Sequence, residues 1–284
     1  MQEAATRLRP VSSPQNALVK DLRKAFTQSE LTKEGFMAIE GVRMIEEAIR
    51  SGLRFHALFF SDSGRAHAGR LLPQISSHAE ALLLADKVLS SAVATETPQG
   101  VAALVKPRTA RMEDILQEAA ANLLLVGLAG VQDPGNVGTV IRSAEAFSAR
   151  AVLLGEKTAS HFNAKVVRAS AGSVFREPVI RVPLAEAVGN LKAHGVRVVA
   201  TSSHKGMPLD EIDFTGPLAL LIGSEGAGLP PAIATQADEL VTIPHSPRVE
   251  SLNAGIAASI LLYEAQRQRR THEADTEARR HGGS

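Results

Sequence analysis

Two nearly unbroken apolar runs, Leu123-Leu124-Leu125-Val126-Gly127-Leu128 and Leu218-Ala219-Leu220-Leu221-Ile222, set the narrowest limit on what this chain can fold into. A strand with one wet face alternates apolar and polar residues. These runs do not, so both faces of their sheet must be covered, as in a parallel sheet between layers of helix. The surrounding sequence alternates such runs with helical periods. Strands are expected at 123–128, 151–154, 179–182, 196–201, 218–222 and 239–243, and helices at 137–148, 164–172, 184–194, 230–236 and 251–270. In sheets of this kind the ligand crevice lies beyond the carboxyl ends of the strands.

The first hundred residues repeat the alternation on a smaller scale. A basic helix at 14–26, with Leu18, Leu22 and Phe26 on one side, leads into strands at 36–39, 53–60, 81–84 and 100–105. Helices at 42–50, 66–76 and 86–93 separate them, which describes a small α/β domain. The polar stretch Lys106-Pro107-Arg108-Thr109-Ala110-Arg111 fits a linker, and 284 residues suffice for two cores.

Several classes fall away on composition. The chain has no cysteine, which excludes disulfides, thiolate metal sites and cysteine nucleophiles. Its opening, MQEAATRLRP, lacks the apolar core of a secretory signal, and its longest near-continuous apolar run is far short of the ~20 residues of a membrane span. A cytoplasmic protein without membrane attachment is expected. The net charge of +1 advertises no global basic field, but residues 1–108 carry 14 Lys and Arg against 11 Asp and Glu. Lys20, Arg23, Lys24, Lys33 and Arg43 are the candidates there for contact with RNA phosphates, although a solvated helix face has the same composition. With no Trp, one Tyr and nine scattered Phe, no base-stacking platform is visible.

Three stretches carry chemistry. After the first buried run, Asp133-Pro134-Gly135 is turn chemistry, and Asn136 reads as the N-cap of a helix with an apolar stripe at Val137, Val140, Ile141, Ala144 and Phe147. Arg142 lies off that stripe, within two turns of the positive end of the helix, where a cation is unfavourable unless an anion is near. After the second run comes Gly223-Ser224-Glu225-Gly226-Ala227-Gly228-Leu229-Pro230, whose glycines permit close backbone approach and hold a carboxylate among them. The third stretch, Ile243-Pro244-His245-Ser246-Pro247-Arg248-Val249-Glu250-Ser251-Leu252-Asn253, ends with Ser251 as the expected N-cap of a long helix. From 252 to 263 that helix is apolar almost all round, which suggests a subunit interface as well as a core.

Together NVGTVIR, LIGSEGAGLP and IPxxxxVESLN, in this order, resemble the three motifs of the SpoU (TrmH-like) RNA methyltransferases, which belong to the SPOUT class. FMAIEGVRMIEE, at 36–47, is similar to part of that family's small substrate-binding domain. The resemblance implies an α/β fold: an L30e-like domain at 1–107, a linker at 108–119, a trefoil-knot SPOUT domain at 120–270 and a charged, disordered tail at 271–284. It implies S-adenosyl-L-methionine as cofactor, no metal, and a homodimer in which the motif arginine of one subunit faces the cofactor of the other. By motif position Asn136, Arg142, Glu225, Ser251 and Asn253 would be catalytic. Cofactor contacts, largely main-chain in the family, would fall on Thr201, Gly223, Ile243, Pro244 and Leu252. The family arginine is assigned to holding the target phosphate and hydroxyl and to proton removal. A free guanidinium is a very poor base, which favours the positioning role. His245 and Pro247 stand where the family commonly has Met and Gly.

The expected activity is methylation of a ribose 2′-hydroxyl in structured RNA, with ribosomal RNA, above all 23S, favoured over transfer RNA because of the Ser12–Lys24 opening. A transfer RNA methyltransferase, a base methyltransferase and a non-catalytic knotted RNA-binding or ribosome-assembly protein are the alternatives. A flavodoxin-like nucleotide binder would need a phosphate-cradling loop that DPGNVG does not supply.

Overall fold

The computed structural model describes residues 7–118 and 122–281, and the side chains of all of these except 118 and 275–281. It forms two compact units: residues up to Arg108 together with Ser160–Arg176, and Thr109–Ala159 together with the chain from Glu177 onward.

The first unit is built on a five-stranded sheet. In chain order it contains β1 (Arg9–Val11), α1 (Ala17–Gln28), β2 (Met37–Glu40), α2 (Val42–Arg50), β3 (Arg54–Ser61), α3 (Ala68–Leu71), β4 (Glu80–Leu84), α4 (Asp86–Ser90) and β5 (Val101–Lys106). The strand order is β1-β4-β3-β5-β2, with β5 antiparallel to both its neighbours. Asn16 caps α1 by accepting from Leu18 N, and Val19, Leu22 and Phe26 cover one sheet face. Met44, Ile45 and Ala48 of α2 cover the other. The expected helix at 66–76 is broken: 3₁₀ turns at Arg65–His67 and Leu72–Gln74 flank α3. Pro73 lacks the amide a continuous helix would need.

The second unit is a seven-stranded sheet, wholly parallel. Its elements are α5 (Met112–Glu118), β6 (Leu124–Ala129), α6 (Pro134–Ala146), β7 (Ala151–Leu154), then, past α7 (Ala164–Ala169), β8 (Val179–Arg181), α8 (Leu184–Ala193), β9 (Arg197–Thr201), β10 (Met207–Pro208), β11 (Leu218–Gly223), α9 (Pro231–Ala234), β12 (Glu239–Thr242) and α10 (Ala254–His281). The order is β10-β12-β9-β11-β6-β7-β8. Every residue of β6 is buried, as the unalternating pattern requires. Leu125, Leu153, Val198 and Leu221 pack with Leu184, Val188 and Leu191 of α8. Each such leucine, fully buried, contributes roughly 1.5–3 kcal/mol. On α6 the stripe Val137, Val140, Ile141 and Ala144 is buried, and α10 packs against this helix.

The extents of the two units and of their sheets differ from the sequence expectations in four further ways. The presumed linker at 108–119 contains α5, because Met112 and Ile115, one turn apart, bury themselves in the second core; residue 119 lies outside the described residues, as do 120 and 121 at the start of the expected second domain. Residues 160–176, expected in the second domain, join the first unit. Phe175 and Val167 enter its core, Ser160 Oγ donates to Ser29 O at 2.7 Å, and Arg176 reaches Glu47 at 3.4 Å. The hydrogen bond from Arg50 outweighs partial burial and, with Arg176, holds the Glu47 carboxyl below its usual range. At the C-terminal end, 271–281 is helical rather than disordered, a continuation of α10; 282–284 lie outside the described residues. Just before this stretch Arg269 is buried and holds α10 to the sheet: Nε donates to Phe214 O at 3.0 Å, Nη1 to Asn122 O at 2.8 Å, and Nη2 to Leu123 O and Gly216 O. Last, the short strands β1 and β10, invisible in the pattern, extend one edge of each sheet. No helix among the described residues is long and apolar enough to cross a membrane.

Candidate functional site

At the carboxyl ends of β9, β11 and β12 a cavity of about 390 Å³ opens. Thr201, Gly223, Ser251, Leu252, Ile243 and Glu225 of the sequence candidates line it. Pro244 does not, and neither do Asn136, Asn253 or Arg142. Ser202, Ser203 and Leu240 line it too, unmarked in advance; the Ser-Ser pair directly after an expected strand end was the available signal.

The glycine-rich loop folds back on itself. Ser224 N donates to Gly228 O at 3.1 Å, and Gly228 N to Ser224 O at 2.9 Å. A Cβ on Gly223 would collide with the backbone of Gly228 and Leu229, so this glycine is required by the loop's own closure. Gly228, at φ +65°, occupies the left-handed region. Thr201 Oγ1 donates to Leu221 O at 3.0 Å and ties β9 to β11 beneath the cavity.

Glu225 is drawn into a polar cluster. Its Oε1 accepts from Asn136 Nδ2, from Asn253 Nδ2 at 3.0 Å and from Ala254 N at 3.3 Å. Asn253 Nδ2 also donates to Asn136 Oδ1 at 2.9 Å, so each amide fixes the other's orientation. The carboxylate thus sits at the amino end of α10, where the exposed amides and the helix dipole favour negative charge. Glu225 Oε2 has no hydrogen-bond partner among the described residues.

Both expected caps move by a few residues, and the displacement is what makes the cluster. α6 begins at Pro134, a residue suited to the first helical position, and Asp133 is the N-cap, accepting from Gly135 N at 2.6 Å. Asn136 is therefore inside the first turn and buried, with its amide free to face Glu225. At α10 the cap is Asn253, whose Oδ1 accepts from Gly255 N at 3.0 Å and Ile256 N at 3.2 Å, while Ser251 stays exposed on the cavity wall.

Arg142 projects from α6 into solvent and has no polar partner among the described residues. Its neighbour Ser143 bonds Ser259 of α10 at 2.7 Å, and Phe147 meets Tyr263 edge-on at 5.8 Å. On α10, which packs against α6, Ile256 and Tyr263 lie seven residues apart and are more than half exposed. His245 lines the cavity with Nδ1 2.6 Å from Ile243 O; His204 is exposed and does not. In the first unit Lys20, Lys24, Lys33 and Arg43 are exposed, whereas Arg23 is engaged, with Nε donating to Ser91 O at 3.1 Å and Nη2 to Ser91 Oγ at 3.2 Å.

Residues 123–263 match the SpoU rRNA methylase family model, and residues 16–103 match an MRM3-like substrate binding domain. A Bacillus subtilis (strain 168) protein named 23S rRNA (guanosine(2553)-2′-O)-methyltransferase is 36% identical over 90% of this chain and 98% of its own. An AdoMet-bound rRNA methyltransferase from Sinorhizobium meliloti superposes with a TM-score of 0.79 at 30% identity, covering 92% of this chain and 98% of that one. The SpoU methyltransferase AviRb from Streptomyces viridochromogenes, solved with AdoMet, gives 0.76 at 31% identity, over 89% and 98%.

Proposed function

The chain belongs to the SpoU rRNA methylase family as an S-adenosylmethionine-dependent RNA 2′-O-methyltransferase, and from that premise we propose that it modifies a ribose in 23S ribosomal RNA, in the cytoplasm, as a homodimer with the knotted threading of its family. The observation that carries the site assignment is the Asn136–Glu225–Asn253 cluster at the mouth of a cavity of ligand size. The cavity suits the cofactor: Leu240, Ile243 and Leu252 offer apolar walls for a purine, and the closed Gly223–Gly228 loop offers fixed main-chain polar groups. Thr201, Gly223, Ile243 and Leu252 would hold it, with Pro244 stiffening the loop that follows β12. When bound, S-adenosylmethionine supplies a sulfonium-activated methyl group that a ribose oxygen can displace in line.

The protein's own part is positioning and exclusion of water. Glu225, oriented by two amides, fixes the glycine-rich loop against the start of α10. Ser251 presents a hydroxyl to the cavity. Arg142, without a polar partner among the described residues, is available to hold the target phosphate and 2′-hydroxyl, and we assign it to the site of the opposite subunit. The exposed Ile256 and Tyr263 on α10, the helix that packs against α6, support α10 as the dimer surface. Lys20, Lys24, Lys33 and Arg43 remain candidates for RNA contact, and Arg23 serves the first unit's own structure before any RNA. A non-catalytic RNA-binding protein would have no use for the ordered cluster around Glu225.

The test is methyl transfer to ribosomal RNA by the purified chain, with the product mapped for 2′-O-methylation. A methyl group in 23S RNA on ribose is the expected result. A methylated base, or transfer to transfer RNA alone, would overturn the substrate assignment. Mixing Arg142→Ala with Leu252→Trp subunits should restore part of the activity, since one site of the mixed dimer receives an intact arginine and an intact cavity. No rescue despite verified subunit exchange would remove the shared-site arrangement and leave the chemistry standing.

A further inference from the structure

One corner of the first sheet carries a constellation that the methyl-transfer site does not use. In β3 the register slips at His56: Phe55 pairs with Val105 and Ala57 with Leu104, so His56 faces no partner residue. A bulge of this kind re-aims a side chain. Here Ala57 belongs to the core on the α1 side of the sheet, together with Phe36 and Leu104. The His56 ring lies flat on Phe36, with centroids 4.2 Å apart and planes within 6°. Phe36 is buried, while 31% of the His56 side chain is exposed, so the stack has a fixed apolar base and a wet outer ring.

Cations gather at this stack. Lys106 Nζ stands 5.4 Å from the Phe36 centroid and donates to Glu34 O at 3.1 Å. Arg54, directly opposite Lys106 in the strand pair, is exposed and has no polar partner among the described residues. Lys33, equally free, sits in the tight turn that Gly35 N closes onto Thr32 O. The acid here is Glu34, whose carboxylate lies 3.7 Å from His56 Nε2 and is 69% exposed. Three cations against one carboxylate, around a flat ring held rigid from behind, match the two demands of an unpaired nucleotide: a surface for the base and positive charge for the flanking phosphates.

We propose that His56, backed by Phe36, is a stacking platform for an unpaired nucleobase of the RNA substrate, with Lys33, Arg54 and Lys106 meeting the adjacent phosphates. This rests on the reading of the chain as an RNA methyltransferase and adds to it a place on the first unit where the RNA is gripped. The platform escapes a count of aromatic residues because its outer ring is an imidazole and its bulge is not written in the strand pattern.

The full-length protein is titrated against fluorescein-labelled oligoadenylate and oligouridylate by anisotropy at fixed salt. Oligoadenylate should bind more tightly, because purines stack better. His56→Ala should weaken oligoadenylate binding about tenfold, with thermal unfolding and S-adenosylmethionine affinity unchanged, and His56→Tyr should restore it. Arg54→Ala should instead weaken both oligonucleotides alike and reduce the salt slope by about one. Wild-type protein that fails to bind oligoadenylate, or His56→Ala that binds it as wild type does, overturns the proposal. Equal loss in His56→Tyr and His56→Ala overturns stacking. Failure of the methyltransferase reading is separate: it is wild-type protein that binds these oligonucleotides with the stated His56 dependence yet transfers no methyl group.

Discussion

The two ends of one strand pair have opposite characters. β6 and β11 run side by side and parallel, Leu124 opposite Leu218 at one end and Ala129 opposite Gly223 at the other. At the amino end Arg269 is buried, and its guanidinium is spent on four backbone carbonyls around the starts of those strands. Burial lowers its basicity, with Glu273 and Asp213 opposing, and the carbonyl cage answers the desolvation. At the carboxyl end lie a cavity and a carboxylate, and α6, which starts there, carries an arginine; one carboxylate oxygen and the arginine have no partner among the described residues. On the reading proposed above, the same residue type serves stability where its donors are used up within the chain and chemistry where they have no partner among the described residues. Saturation of hydrogen-bonding capacity, more than exposure or charge, distinguishes the two ends.

If that contrast is right, the two arginines respond oppositely to removal. Arg142→Ala should lower single-turnover methylation by about 10²–10³-fold, the cost of removing one preorganised donor from a reaction site. Its unfolding free energy should stay within ~0.5 kcal/mol of wild type. Normal single-turnover methylation in this variant would erase the functional half of the comparison. Arg269→Met should do the reverse. It strands several buried carbonyls, for a loss of about 3 kcal/mol, or roughly 10 °C in the unfolding midpoint, with methylation per folded molecule preserved below the transition. A folded Arg269→Met of normal stability would mean that the carbonyl cage is ornamental.

Glu225 stands between these extremes, one oxygen saturated and one free. Glu225→Ala should cost about 1–2 kcal/mol of stability because three donors lose their common acceptor, and it should weaken S-adenosylmethionine binding in calorimetry as the loop loses its anchor. Asn253→Ala should share both effects, and the double variant should cost less than the sum, because the residues belong to one network. Additive losses would show the cluster to be a coincidence of neighbours.

How much of this was legible follows the same division. The strands β6 and β11 were readable because their apolar runs admit only one environment, and the Arg142 position was readable because a helical stripe says which residues are left out of the core. The carbonyl cage of Arg269 was not, since its partners are main-chain atoms some fifty and more than a hundred residues away, and main-chain atoms leave no mark in a sequence. Residues 160–176 show the same limit: Val167 and Phe175 are apolar enough for either core, and only the folded chain decides between them. In α5, by contrast, the spacing of Met112 and Ile115 was a signal that the polar residues around them concealed. The three motifs offered candidate residues but not the bonds among them, and the caps were displaced because nearby residues compete for one role.

That competition yields the smallest and most discriminating effect. Asp133 and Asn136 are both good capping residues, three positions apart, and Pro134 decides between them by starting the helix early. Asp133→Ala should therefore cost about 1 kcal/mol of stability, a cap's usual worth, and leave S-adenosylmethionine affinity in place, because the Asp133 side chain accepts from the Gly135 amide and, among the described residues, does not reach the cluster around Glu225. Asp133→Asn should recover most of that loss. Asn136→Ala should be felt at the opposite place: it removes the amide that orients both Glu225 and Asn253, so cofactor binding should weaken while the start of α6 stays capped. Denaturant unfolding and calorimetry on the two single variants separate the roles. Should Asn136→Ala lose stability alone and Asp133→Ala lose cofactor affinity, Asn136 would be the cap after all, and the polar cluster at the open end of the sheet would have to be rebuilt without it.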